Sequence, residues 1–376
     1  MSLTRRQLFC GIFAAFSKDP LQAASEILDR ATSHGWFNSP DINAVVLDVC
    51  YGKQRYTKAY GVAGTAQRVF VIASITKVLV AMAAMALQDH GELALGDRVV
   101  RFVPTFRGER RDEVTIQNLL THTSGLPESV PQIQQMFKHQ ATLDEIFTAT
   151  CQTPLLFAPG EAFSYSNLGV LVLREVMYKI TGVPLPELLK TMVFGPLLMN
   201  DTSLGLGGRP LESTAQNQHD ADQPDPNTLY HRELATPWGG IHSTGADLTR
   251  CLRYFMHPED GPLKSATAKE MLLNHCEGLN QPWGLGWMLS NSHDTHYRVA
   301  PTRHRYGWAS LFSNPERLPA FGLGCSTSSF GHYGVSGTLA WADPQRDISM
   351  VLLTTKPVRY SRDGVLGPVS DLLLRL

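Results

Sequence analysis

Two β-hairpin signatures stand near opposite ends of this 376-residue chain, and the sequence between them reads mostly as helix. In the first, strand-like runs from Ala44 to Cys50 and from Arg55 to Gly61 flank the turn Tyr51-Gly52-Lys53-Gln54. In the second, Thr338 to Ala342 and Ile348 to Thr355 flank Asp343-Pro344-Gln345-Arg346-Asp347. Strand-forming runs separated by turn-forming residues mark hairpins. The simplest architecture is α+β: an antiparallel sheet built from both chain ends, covered by helices, with a mostly helical region inserted between.

Helical spacing is read at 20 to 34 after an Asp19 cap, and at 74 to 90, 115 to 121, 143 to 150 and 167 to 181. It returns at 184 to 193, 246 to 256 and 265 to 275, and a last helix runs from Pro368 to Leu374. The Gly-, Pro-, Asp-, Asn- and Gln-rich stretch 205 to 230 reads as a long surface loop. Residues 21–376 are expected to form one unit, with sheet parts about 21–100 and 285–376 and a helical part about 101–284.

With Lys+Arg at 33 and Asp+Glu at 34 there is no basic stripe, which excludes nucleic acid as a partner. The six cysteines are scattered and none has metal-ligand spacing. They read as small buried hydrophobes, or as disulfides if the protein is exported. No metal or organic cofactor is implied. Thr4-Arg5-Arg6-Gln7-Leu8-Phe9, followed by an apolar run through Phe16, looks like a twin-arginine export signal over residues 1–20. That places the mature protein in the periplasm or cell envelope. The alternative is a frayed amphipathic start on a cytoplasmic protein.

Three segments carry chemistry. Ser74-Ile75-Thr76-Lys77 opens an apolar helix, so Ser74 and Lys77 share a face one turn apart. Burial lowers a lysine pKa, and a neutral amine there can take the serine proton. Tyr165-Ser166-Asn167 supplies a phenol able to relay protons and an amide able to position a substrate carbonyl. Gly331-His332-Tyr333-Gly334-Val335-Ser336-Gly337-Thr338 is glycine-dense, as expected where a strand's backbone closely approaches another group, here the substrate. The Val335 N–H pairs with that of Ser74 as a candidate oxyanion hole. There is no Gly-x-Ser-x-Gly elbow, since Thr338 takes its last position.

From about residue 25 onward, these three segments resemble, in order and separation, the penicillin-recognising serine hydrolases. That superfamily comprises the serine β-lactamases and D-alanyl-D-alanine peptidases. Leu120 to Leu126, Pro159-Gly160-Glu161, Trp238-Gly239-Gly240 and Gly284 to Trp287 add to the likeness. The resemblance implies Ser74 as nucleophile, Lys77 and Tyr165 as the proton-handling pair, and Asn167, His332, Gly334 and Val335 as substrate-binding positions. It further implies a small-molecule, ester or short-peptide substrate.

His332-Tyr333-Gly334 departs from the Lys-Thr-Gly of typical β-lactamases, replacing a permanent cation by an imidazole. Efficient β-lactam turnover is therefore disfavoured. The reading is an ester or amide hydrolase of carboxylesterase or D-amino-acid peptidase type, in the tyrosine-using branch. The alternatives are an acyltransferase and a slow penicillin-binding sensor. Trp238, Trp283 and Trp287 are candidates for a pocket lining or for plain core, and His122 reads as structural.

Overall fold

The computed structural model describes residues 19–33, 41–220, 223–259, 261–279, 281–290, 321–322 and 324–376. Residues 1–18 of the twin-arginine segment, Cys10 among them, lie outside these residues, while Asp19 and Pro20 already cap and open the first helix. Among the described residues no helix is long and apolar enough to cross a membrane.

The two terminal hairpins join in one sheet, as their sequence signatures predict. Strands β1 (Ala44–Tyr51) and β2 (Gln54–Gly61) form the first hairpin. After a short β3 (Phe70–Val71), β4 (Ser203–Leu204) and β5 (Ile241–Ser243), the chain returns with β6 (Met288–Leu289) and β7 (Phe330–Gly334). The closing hairpin is β8 (Thr338–Asp343) and β9 (Ile348–Thr354). The main sheet runs β2-β1-β9-β8-β7-β6, all antiparallel, and β1 pairs directly with β9, Leu47 opposite Leu352.

Successive strand residues point to opposite faces, and both faces are covered. Val45, Leu47 and Val49 of β1, with Trp341, Met350 and Leu352, bury against helices α1 (Pro20–Thr32) and, at the chain's end, Gly367–Leu373. Val46, Ala340, Val351 and Leu353 join the larger core around α2 (Thr76–Asp89). This double burial explains why β1 and β9 are mostly apolar on both faces rather than alternating. Asp48, the polar exception on β1, is fully buried and meets Arg55 Nη2 at 2.6 Å and the hydroxyls of Thr57 and Thr249.

A second small sheet, β3-β5-β4, was not legible in the sequence, because two- and three-residue strands leave no periodicity. It stands beside the helical region, whose main helices α3 (Asn167–Thr181) and α4 (Gly245–Met256) match their sequence expectations closely. One expectation was too long and one differs in kind. Helix 265–275 stops at Glu270, while the helix expected at 184–193 is present over 185–194, its second half in π rather than α form.

Candidate active site

Ser74 lies in a single 3₁₀ turn, Ala73–Ile75, that runs straight into α2. The turn is held from both sheets. Ile72 N donates to Ile241 O at 2.9 Å and Ile241 N to Thr76 Oγ1 at 3.1 Å, tying it to β5. The Thr338 hydroxyl donates to Ile72 O and that of Ser336 to Val71 O, both at 3.0 Å, tying it to the β7–β8 turn. Ala73, with φ of 46°, occupies the left-handed region that a side chain disfavours, a strain the surrounding hydrogen bonds sustain.

Gly334 permits this close approach. A Cβ there would stand 2.3 Å from Ile72 O and from Thr338 Oγ1, and 3.0 Å from the Ala73 Cβ. The glycine thus lets β7 approach the Ser74 turn itself. Gly334→Ala is expected to lower stability by about 3 kcal/mol and to reduce kcat at the same time. Thermal melts and ester kinetics on one preparation check both, and a variant with unchanged melting temperature would refute the packing argument.

Lys77 is 3% exposed on a helix that is apolar on every side. Its Nζ stands 3.1 Å from Ser74 Oγ, donates to Trp238 O at 2.9 Å, and sits 4.7 Å from the Tyr165 ring centroid. Burial lowers its pKa from 10.5 to about 7, with the charge of Glu128 pulling the other way. Tyr165 is also buried, and burial raises its phenol well above 10, against a hydrogen bond with Ser74 that lowers it. At neutral pH the pair is therefore a partly neutral amine beside a protonated phenol.

Tyr165 is braced from behind. The His122 ring lies 4.5 Å from it, His122 Nδ1 accepts from Ser166 N at 3.2 Å, and His122 O accepts from Ser164 N at 2.9 Å. The structural expectation for His122 holds, since it sets the Ser164–Ser166 strip against Lys77. Asn167 begins α3, whose cap is the Ser166 hydroxyl bonded to Gly169 N, rather than Asn167 itself. Asn167 N donates to Glu128 O at 3.1 Å.

A cavity of about 390 Å³ opens over Ser74, lined also by Tyr165, Asn167, Glu128, Trp238 and Val335. That size suits a small acyl group. His332 is not in its lining. At 1% exposure it is packed against Tyr165 and Trp283, its Nδ1 donates to Tyr333 O at 2.8 Å, and burial lowers its pKa to about 3. It stays uncharged at neutral pH and cannot replace the missing third-motif cation. Of the three tryptophans only Trp238 reaches the cavity, while Trp283 and Trp287 are core.

Three features escaped the sequence reading. One is the Trp238 carbonyl that holds Lys77, although the Trp-Gly-Gly stretch had stood out. Another is Glu128, which has no motif around it. The third is the stretch 217–240, read largely as surface loop, which forms a wall of the cavity. Cys50, Cys151, Cys251, Cys276 and Cys325 are free thiols, and burial pushes Cys251 and Cys276 up to about 12, which keeps them unreactive. Among the described residues no cluster of three or more metal-ligating side chains occurs.

In sequence and fold the chain is similar to several known proteins. Esterase EstB of Burkholderia gladioli is 34% identical over 234 residues, 56% of this chain and 58% of EstB. The D-alanyl-D-alanine carboxypeptidase/endopeptidase AmpH of Escherichia coli is 27% identical over 278 residues, 68% of this chain and 70% of AmpH. The solved structure of EstCE1, described as a hydrolase with promiscuous acyltransferase activity, superposes with a TM-score of 0.74 at 21% identity. That match covers 94% of this chain and 98% of EstCE1. A family model described as beta-lactamase matches residues 35–372. The chain therefore belongs to the beta-lactamase family of serine hydrolases.

Proposed function

We propose that the protein hydrolyses a small ester or amide through an acyl-enzyme on Ser74, with carboxylesterase or D-amino-acid peptidase chemistry ahead of efficient β-lactam turnover. The observation that carries the reading is Lys77 Nζ, 3.1 Å from Ser74 Oγ with a pKa near 7. Neutral Lys77 takes the hydroxyl proton as Ser74 Oγ attacks the acyl carbon. The N–H groups of Ser74 and Val335 receive the oxyanion. As the tetrahedral adduct collapses, the Tyr165 phenol protonates the leaving group and is reprotonated by the Lys77 ammonium. Water then enters by the reverse relay, releasing the acid and restoring Ser74. Asn167 positions the acyl group.

The neutral, buried His332 supports the preference away from β-lactams, because no third-motif cation meets a substrate carboxylate. The names of the relatives EstB and AmpH support an ester or D-alanyl peptide as the substrate class. We extend the reading to an exported protein, with the twin-arginine segment as its address.

The test combines turnover of a nitrophenyl ester panel and a D-alanyl-D-alanine peptide with active-site labelling by a fluorophosphonate ester. Stoichiometric labelling of the peptide containing Ser74, blocked by preincubation with a turned-over substrate, is expected. Label on another residue, with turnover intact, would sink the assignment of the nucleophile.

A further inference from the structure

A charged pair that no motif includes lines the cavity. Arg359 lies on the short helix Val358–Ser361, whose Val358 N donates to Val335 O at 2.9 Å. That bond places Arg359 next to the candidate oxyanion-hole residue, and Arg359 lines the same cavity as Ser74. Its guanidinium is ion-paired with Asp220, another lining residue, from a segment 139 residues away in sequence. The Asp220 carboxylate also accepts from Tyr360 Oη at 3.1 and 3.0 Å.

The other guanidinium in the described lining, Arg232, is committed elsewhere. It is 2% exposed and donates to Pro226 O at 3.0 Å, Ala215 O at 3.1 Å and Asn227 Oδ1 at 2.7 Å. Lys77 is engaged with Ser74 and Trp238, and His332 is uncharged and outside the lining. Among the described residues Arg359 is thus the guanidinium that a carboxylate-bearing acyl donor would meet in the cavity, and Asp220 already occupies it.

We infer that the Asp220–Arg359 pair is the charge-selecting element of the site, reserving the cavity for acyl groups without a negative charge. The inference rests on the serine-hydrolase reading and names the substrate class within it. A guanidinium holds a carboxylate through two parallel N–H donors, so a substrate carboxylate and Asp220 compete for one fork. An anionic acyl group must displace Asp220 and leave that carboxylate beside its own, while an uncharged one leaves the pair intact. The two side chains are 45% and 37% exposed, and ion pairs so exposed contribute little to stability. The pair can therefore be altered without unfolding the protein, and Asp220→Asn retains an acceptor for Tyr360.

The experiment measures kcat/KM of the full chain for the nitrophenyl monoester of adipic acid and for its uncharged branched-chain isostere. The wild type should favour the uncharged ester. Asp220→Asn should shift the ratio toward the adipate ester by about tenfold or more, less at high salt, where exposed charges are screened. Asp220→Asn combined with Arg359→Gln should lose that gain. An unchanged ratio in Asp220→Asn, or a gain that survives in the double variant, would overturn the inference. If the wild type turned over neither ester and Ser74 took no fluorophosphonate, the hydrolase reading itself would fall, and this inference with it.

Discussion

Ser74→Ala should lower kcat on a nitrophenyl ester by about 10⁵-fold, the scale seen when a covalent nucleophile is removed. It should abolish fluorophosphonate labelling in the same step. The expectation rests on the described residues, which offer no substitute within reach. Ser336, the other serine lining the cavity, has its hydroxyl bonded to Val71 O at 3.0 Å, a tie that holds the β7–β8 turn to the nucleophile's turn. The free thiols of the described residues do not line the cavity; Cys251, Cys276 and Cys325 are buried, Cys50 and Cys151 half-buried, and burial raises the pKa of all five. The fold should survive, because Ser74 is half-buried and caps nothing, and the turn around it is fixed by Ile72, Thr76 and Thr338 rather than by Oγ. A melting temperature within a few degrees of wild type, with activity gone, is the expected pair of results. Residual activity within tenfold of wild type would require a different nucleophile.

Lys77→Met should cut kcat/KM by about 10³-fold, the loss expected for a general base, and should also make the protein more stable. The two effects share one cause. A lysine whose pKa falls from 10.5 to about 7 on burial carries an ammonium-burial penalty of roughly 5 kcal/mol at low pH. The folded pKa lies below the unfolded one, so the penalty is fully present below pH 7. It fades as pH rises from 7 toward 10.5, where the unfolded chain gives up its proton too. Relative to the wild type, Lys77→Met should therefore melt a few degrees higher at pH 6, with the difference shrinking toward pH 10. The same pKa sets the activity profile. Wild-type kcat/KM should fall about tenfold per pH unit below an inflection near 7, and Tyr165, raised well above 10, adds no limb in the accessible range. Residual activity in Lys77→Met should lack that inflection. A wild-type profile flat from pH 5 to 9 would mean that Lys77 is not the base.

Much of this site was legible because it is local. Ser74 and Lys77 are three residues apart, and one helical turn decides their juxtaposition whatever the rest of the chain does. The hairpins at 44–61 and 338–354 are likewise set by short strand-forming runs and the turn residues between them. The apolar context of α2 also announced the burial that depresses the Lys77 pKa. His332 shows where local reasoning stops. Its position in the third motif suggested a substrate contact, but the ring is buried against Tyr165 and Trp283, 167 and 49 residues away in sequence, and does not line the cavity.

By itself, then, the sequence determined the antiparallel sheet drawn from both ends, the helix that presents Ser74 and Lys77, and the chemistry those two side chains can perform. Only the tertiary structure decided what surrounds them. Lys77 bonds to a backbone carbonyl 161 residues away, and a carbonyl carries no residue identity to read. The 217–240 wall closes on the cavity because Gln218 N donates to Thr355 O and its amide accepts from Asn43 N, pairings across 137 and 175 residues. Arg359 meets Asp220 across a comparable gap. Such contacts are chosen by how the whole chain packs, since periodicity and spacing describe neighbours along the chain and say nothing of which distant segments share a surface.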